Sequence, residues 1–174
     1  MGLSGGSWID GDRILSFGMP VEEGADPAIV VLTLDDAGQV RTSTELARAD
    51  RPRGASLSPG GTWLIYFLSF QSDPANDGLW LVPTDGSAPP RYLTFFGGYR
   101  WRDDTHLLYI PLEPGAESHA LWEYDVVSDA HRPLTDPSQI PFKIANNDWT
   151  VSPDGDRVVF VNADDRNLWL IELP

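Results

Sequence analysis

The chain contains no cysteine. Disulfides, thiolate metal sites and a cysteine nucleophile are therefore excluded, while the compartment is left open. It also lacks basic charge: the formal net charge is −14. A phosphate backbone needs a basic footprint, so a nucleic-acid partner is not expected, and anionic membrane surfaces are disfavoured on the same ground. No apolar run approaches the length of a membrane span, so no membrane insertion is expected. The segment Met1-Gly2-Leu3-Ser4-Gly5-Gly6 has neither a basic start nor an apolar core, and no signal peptide is read there. That reading is cytoplasmic as the sequence stands and periplasmic or extracellular if an upstream segment is missing. Finally, no stretch sustains a helical period, so almost no helix is expected.

What the chain does have is a repeat. An apolar residue precedes a tight turn at Trp8, Leu57, Trp101 and Val151, at intervals of 49, 44 and 50 residues. The copies begin Ile9-Asp10-Gly11-Asp12, Ser58-Pro59-Gly60-Gly61, Arg102-Asp103-Asp104-Thr105 and Ser152-Pro153-Asp154-Gly155, each followed by an apolar strand. A second apolar cluster follows at Ile29–Leu32, Leu79–Val82, Leu121–Tyr124 and Leu168–Ile171. A third element closes the unit at Arg91-Tyr92-Leu93-Thr94 and Arg132-Pro133-Leu134-Thr135, with Val40-Arg41-Thr42 a degenerate copy. Short segments rich in Val, Ile, Leu, Trp and Tyr, bounded by Gly, Pro, Asp and Asn, read as strands. Asp-Gly in the turns supplies the positive φ that tight hairpins demand. Four antiparallel strands per repeat of this length are what a β-propeller blade requires.

Ser-Pro-Asp-Gly before an apolar strand, then an apolar strand with an aromatic, then Leu-Thr, resembles the WD40-like propeller repeat of the TolB family. Related blades occur in the propeller domains of prolyl-oligopeptidase-type peptidases. The resemblance covers nearly the whole chain. It is best at residues 149–172, next best at 55–94, and the first and third copies lack Ser-Pro before the turn. It implies an all-β propeller with four-stranded antiparallel blades, about three and three-quarter of which are present. The blades run approximately 6–44, 54–95, 98–136 and 148–174, within one propeller region spanning 1–174. The motif is specific for fold and poor for function, since many functions share this scaffold.

The count leaves ring closure open between three readings: blades belonging to a longer propeller, a small ring closed by the N-terminus, or pairing with a second copy. Gly2–Gly6 is short and Gly-rich for an outer strand. An open last blade exposes an edge at Asn167–Leu173, a site of possible self-association.

The turns at Asp10–Asp12, Pro59–Gly61, Asp103–Asp104 and Asp154–Asp156 are tight, whereas Gly18–Pro27, Glu45–Gly54, Phe70–Gly78, Leu112–Ser118 and Asp136–Asp148 read as longer loops on the opposite face. Long loops on a rigid scaffold carry function, so the binding surface is expected on that face. Arg48, Arg51 and Arg53 form a basic exception in an otherwise acidic set. Guanidinium groups recognise carboxylates and phosphates, but next to Glu45 and Asp50 they more often form ordinary surface pairs. Phe70, Phe95, Phe96, Tyr99 and Phe142 are candidate pocket walls, with packing between blades the competing role.

Other chemistry is only spelled out in letters. Gly2-Leu3-Ser4-Gly5-Gly6 matches Gly-x-Ser-x-Gly but lacks the strand before and the helix after that a nucleophile elbow needs. His106, His119 and His131 do not stand at metal-ligand spacing. Asp154-Gly155-Asp156 is explained by its hairpin, and it lacks the distal Glu of an EF-hand. Neither catalytic residues nor a cofactor or metal is expected. The leading reading is a non-catalytic propeller that binds protein or peptide, which the TolB resemblance also implies. The alternatives are an accessory gating propeller of a prolyl-oligopeptidase-type serine peptidase, or a propeller that binds small molecules or glycans.

Overall fold

The computed structural model describes residues 3–18, 27–49 and 52–174. It is all-β apart from one 3-10 turn, Pro74–Asn76. Four antiparallel sheets follow one another along the chain, each with its strands in sequence order. The first is β1 (Leu3–Trp8), β2 (Arg13–Gly18), β3 (Ala28–Leu34) and β4 (Val40–Arg48). The second is β5 (Arg53–Leu57), β6 (Trp63–Leu68), β7 (Gly78–Pro83) and β8 (Arg91–Tyr92). The third is β9 (Gly97–Trp101), β10 (His106–Pro111), β11 (Trp122–Asp125) and β12 (Ala130–Pro133). The fourth has three strands, β13 (Ile144–Val151), β14 (Arg157–Asn162) and β15 (Leu168–Glu172). This is the propeller-type architecture expected, with the last blade one strand short.

The chain forms two compact units, residues 1–94 and 95–174. In the first unit Leu15, Ile29 and Val31 of the first sheet pack with Leu64, Tyr66, Leu68 and Val82 of the second, joined by Leu46 and Ala49. In the second unit Leu108, Ile110 and Leu121 pack with Phe142, Ile144, Trp149, Val158 and Phe160. Buried Glu123 accepts from both Arg102 and Arg132, which gives a desolvated carboxylate two cationic partners.

The hairpin between the first two strands of each sheet is built in two ways. Where Ser-Pro is present, the bond from Ser58 N–H to the Trp63 carbonyl and that from Ser152 N–H to the Arg157 carbonyl each enclose a longer loop. There the serine hydroxyl accepts from the far backbone, at Trp63 N–H (3.1 Å) and Arg157 N–H (2.9 Å). Gly61 and Gly155 take the left-handed position at φ 70° and 76°. Where Ser-Pro is absent, the enclosing bonds run from Ile9 N–H to the Arg13 carbonyl and from Arg102 N–H to the His106 carbonyl, one residue tighter. An aspartate one position further along does the serine's work: Asp10 Oδ1 accepts from Arg13 N–H and Asp103 Oδ1 from His106 N–H.

Three expectations need correction. Leu3–Trp8 does form a strand, and its Gly-rich half pairs with β2 through an irregular register between Leu3 and Gly6. The stretch 45–54 is not one long loop, because β4 runs on to Arg48 and β5 starts at Arg53. The closing element read at Val40-Arg41-Thr42 continues through Ser43, Thr44 and Glu45 to Arg48, on the last strand of its sheet, where side chains meet water. Likewise the loop after Asp136 stops at Lys143, because Asn146 and Asn147 sit at φ 53° and 57° within a bulged β13 rather than outside it. Asparagine tolerates that left-handed backbone better than most residues.

Candidate functional site

Register identifies one position in three sheets: Tyr66 pairs with Trp80, Tyr109 with Trp122, and Phe160 with Trp169. What covers that ring differs between them. Phe95 stacks on Tyr109 at 4.0 Å between centroids, and the Tyr109 hydroxyl meets His131 Nδ1 at 3.0 Å. Phe142 packs on Phe160 at 5.4 Å. Phe95 comes from the connection leading into the third sheet and Phe142 from the one leading into the fourth. The connection into the second sheet supplies Ala49.

With no ring at Ala49, a cavity of about 540 Å³ opens in the first unit. Ala47, Arg48 and Ala49 line one side, Tyr66, Leu68 and Trp80 the floor, and Gln71, Ser72, Asp73 and Asn76 the loop between β6 and β7. Tyr66 is only 2% exposed. Its hydroxyl has no hydrogen-bond partner among the described residues, and burial pushes its pKa up, so it stays a neutral donor and acceptor.

The loop is held from within. Asp77 carboxylate oxygens accept from Phe70 N–H (3.1 Å) and Gln71 N–H (2.9 Å). Asp73 caps the 3-10 turn by accepting from Ala75 N–H (3.0 Å), and the Trp80 indole N–H donates to the Asn76 carbonyl (3.0 Å). Gly78, at φ 143°, lies under the Tyr92 ring so closely that a Cβ would come within 2.7 Å of Tyr92 Cε2. This clamp keeps Phe70 at φ 59° with its ring 73% exposed. A bulky side chain rarely adopts that backbone, and such strain gathers at functional positions.

The other residues singled out in the sequence are dispersed. Arg48 lines the cavity but its guanidinium is engaged by Glu45, at 2.7 and 2.9 Å. Arg53 opens β5 with an exposed side chain, and Arg51 lies outside the described residues. Phe96 is exposed, while Phe95 and Phe142 serve as the ring covers just described. Tyr99 lies on β9, where burial raises its pKa, and its carbonyl accepts from Arg100. The sequence reading did not single out Tyr66, Trp80, Gln71 or Asn76. The available signal was the missing aromatic between β4 and β5 where the later connections carry Phe95 and Phe142.

No protein-family model matches the chain, and no curated protein sequence does. Solved structures do share its fold. It is similar to an oligogalacturonate lyase solved in complex with manganese, at TM-score 0.61 and 16% identity, over 92% of this chain and 47% of that one. It is also similar to an uncharacterized protein from Listeria monocytogenes EGD-e, at TM-score 0.59 and 12% identity, over 95% of this chain and 48% of that one. A puromycin hydrolase matches at TM-score 0.55 and 14% identity, over 93% of this chain and 25% of that one. The chain thus spans about half the length of the first two. At these identities the likeness is one of fold.

Proposed function

We propose that the chain is a non-catalytic, WD40-like recognition module that takes up a peptide segment at the first-unit cavity, with one side chain inserted toward Tyr66. The observation that carries this reading is the neutral Tyr66 hydroxyl, without a hydrogen-bond partner among the described residues, at a cavity of about 540 Å³. A ligand's polar group that reaches this hydroxyl gains a hydrogen bond worth about 1 kcal/mol. The volume lies within the range of ligand pockets, roughly 300–1,000 Å³, and a few polar groups on an apolar wall fix orientation. Exposed Phe70, next in sequence to the cavity-lining Gln71, supplies an aromatic anchor of the kind that dominates peptide interfaces. Each of these features concerns recognition. None supplies a nucleophile with an adjacent base.

The test is selection from a displayed random-peptide library on the immobilised chain, repeated on Ala49→Phe. A consensus enriched on the wild-type chain and absent from Ala49→Phe supports the reading, since the new ring fills the cavity as Phe95 and Phe142 fill theirs. The same consensus on both proteins would place recognition elsewhere.

A further inference from the structure

The second unit holds a cavity of its own, where β9, β10 and β13 meet. It measures about 160 Å³, and Ile110, Pro111, Leu112 and Ile144 make its wall apolar. Its two polar side chains are His119 and Asn147. Hydrogen bonding fixes what each can offer. The Ile144 N–H donates to His119 Nδ1 at 3.1 Å, so the neutral ring carries its proton on Nε2. Burial, then the charge of Lys143, lowers the His119 pKa against the opposite effect of Glu113, which keeps the ring neutral at pH 7. The Trp149 indole can only donate, and it donates to Asn147 Oδ1 at 2.7 Å, which assigns the two ends of that amide. The Asn147 NH2 group and the His119 Nε2–H have no partner among the described residues. Both side chains therefore offer the cavity donors. The backbone holds them there. The His119 N–H donates to the Phe142 carbonyl at 2.7 Å, which ties the segment after the β10 loop to the run-in of β13. The bulge that puts Asn147 at φ 57° turns its side chain toward Gly98. A Cβ at Gly98 would stand 2.0 Å from Asn147 Oδ1, so the amide fills the space that a larger residue would take.

We propose that this cavity binds the acetamido group of an N-acetylated small molecule, its carbonyl oxygen accepting from His119 Nε2–H and the Asn147 amide and its methyl lying against Ile110, Leu112 and Ile144. A carbonyl oxygen has two lone pairs and takes two donors. A carboxylate fits less well: both donors are neutral, Lys143 and Glu113 act on the ring with opposite sign, and the chain as a whole is strongly acidic. Neutral donors alone do not repay the desolvation of a charge. Size points the same way. The volume equals roughly five waters at about 30 Å³ each, enough for an acetamido group and too small to enclose a whole monosaccharide. The rest of the molecule stays outside, and Leu112, 63% exposed, carries the apolar wall out to solvent.

The probes are N-acetylglucosamine, N-acetylalanine methylamide and acetate. Each is titrated into the full isotope-labelled chain while the NMR signals of the His119 ring and the Asn147 side-chain amide are followed. The expected result is a saturable shift of both signals with at least one N-acetyl compound, with acetate weaker by about tenfold or more. The tighter of the two N-acetyl compounds identifies the source of the group as sugar or amino acid. Asn147→Asp keeps the oxygen that accepts from Trp149, so the local fold is retained, but it replaces the donor by a second oxygen. It is expected to weaken binding by about tenfold or more, whereas Tyr66→Phe in the first unit leaves binding unchanged. No saturable shift with either N-acetyl compound overturns the proposal. So does acetate binding as tightly, or binding indifferent to Asn147→Asp.

Discussion

One register position is finished differently in the two units. In the second unit, Tyr109 is stacked by Phe95 and bonded to His131, and Phe160 is covered by Phe142. In the first unit, Tyr66 has neither a covering ring nor a hydrogen bond among the described residues, and a cavity stands beside it. Backbone pairing and the facing tryptophan are the same in all three cases. The covering ring therefore comes from the connecting segments, whereas the hydrogen-bond partner His131 comes from β12 of the sheet itself. The connection that starts at Ala49 leaves a cavity, and connections carrying phenylalanine close the same space with the chain itself.

The comparison breaks most severely at Phe142. Phe142→Ala removes a buried ring from the second-unit core and is expected to destabilise by about 3–5 kcal/mol in denaturant unfolding. A loss below about 1 kcal/mol would mean the core collapses around the gap and that Phe142 is not the cover described.

The two tyrosines sharpen it further. Tyr109→Phe forfeits the bond to His131 and is expected to lower stability by about 1 kcal/mol. Tyr66→Phe forfeits nothing within the described chain and is expected to be neutral to slightly stabilising, within about 0.5 kcal/mol. Equal losses from both would show that the Tyr66 hydroxyl is satisfied.

The smallest effect is on acid stability, and it separates the two kinds of hairpin. Hydrogen bonding by Arg13 holds Asp10 down to about 2, and hydrogen bonding by Ser152, then Asp156 N–H and Arg157, holds Asp154 down to about 2. A carboxylate depressed in the folded state stabilises above its ordinary value near 3.8, and that contribution is lost as pH falls toward 2. Asp154→Asn is therefore expected to lower the thermal midpoint slightly at pH 7, to converge with the unmodified chain near pH 2, and so to flatten the decline between about pH 4 and 2. Ser152→Ala does the same more weakly, whereas Asp10 responds to loss of Arg13.

Much of the fold was legible because turn chemistry and apolar clusters recur in register, and the third strand of every sheet overlaps its apolar cluster. The strands that were missed are those whose signal is polar. β4 was legible only at Val40-Arg41-Thr42, its second half from Glu45 reading as loop, and the Asn146-Asn147 bulge hides the start of β13. The turn without Ser-Pro was visible as a departure, but its replacement by an aspartate one position on depends on hydrogen-bond geometry. The site was harder to read. Aromatic residues on long loops drew attention, and two of them, Phe95 and Phe142, fill space rather than line it. The cavity follows from a ring that is missing beside Ala49, and a small residue between strands carries little signal until register shows what its counterparts do.

The most direct measurement is calorimetric titration of the library-selected peptide into the wild-type chain and into Tyr66→Phe, with the thermal midpoint of each recorded alongside. The account predicts equal midpoints and an affinity reduced by about tenfold in Tyr66→Phe, the value of one buried hydrogen bond. Equal affinities would contradict it, because the Tyr66 hydroxyl would then take no part in recognition.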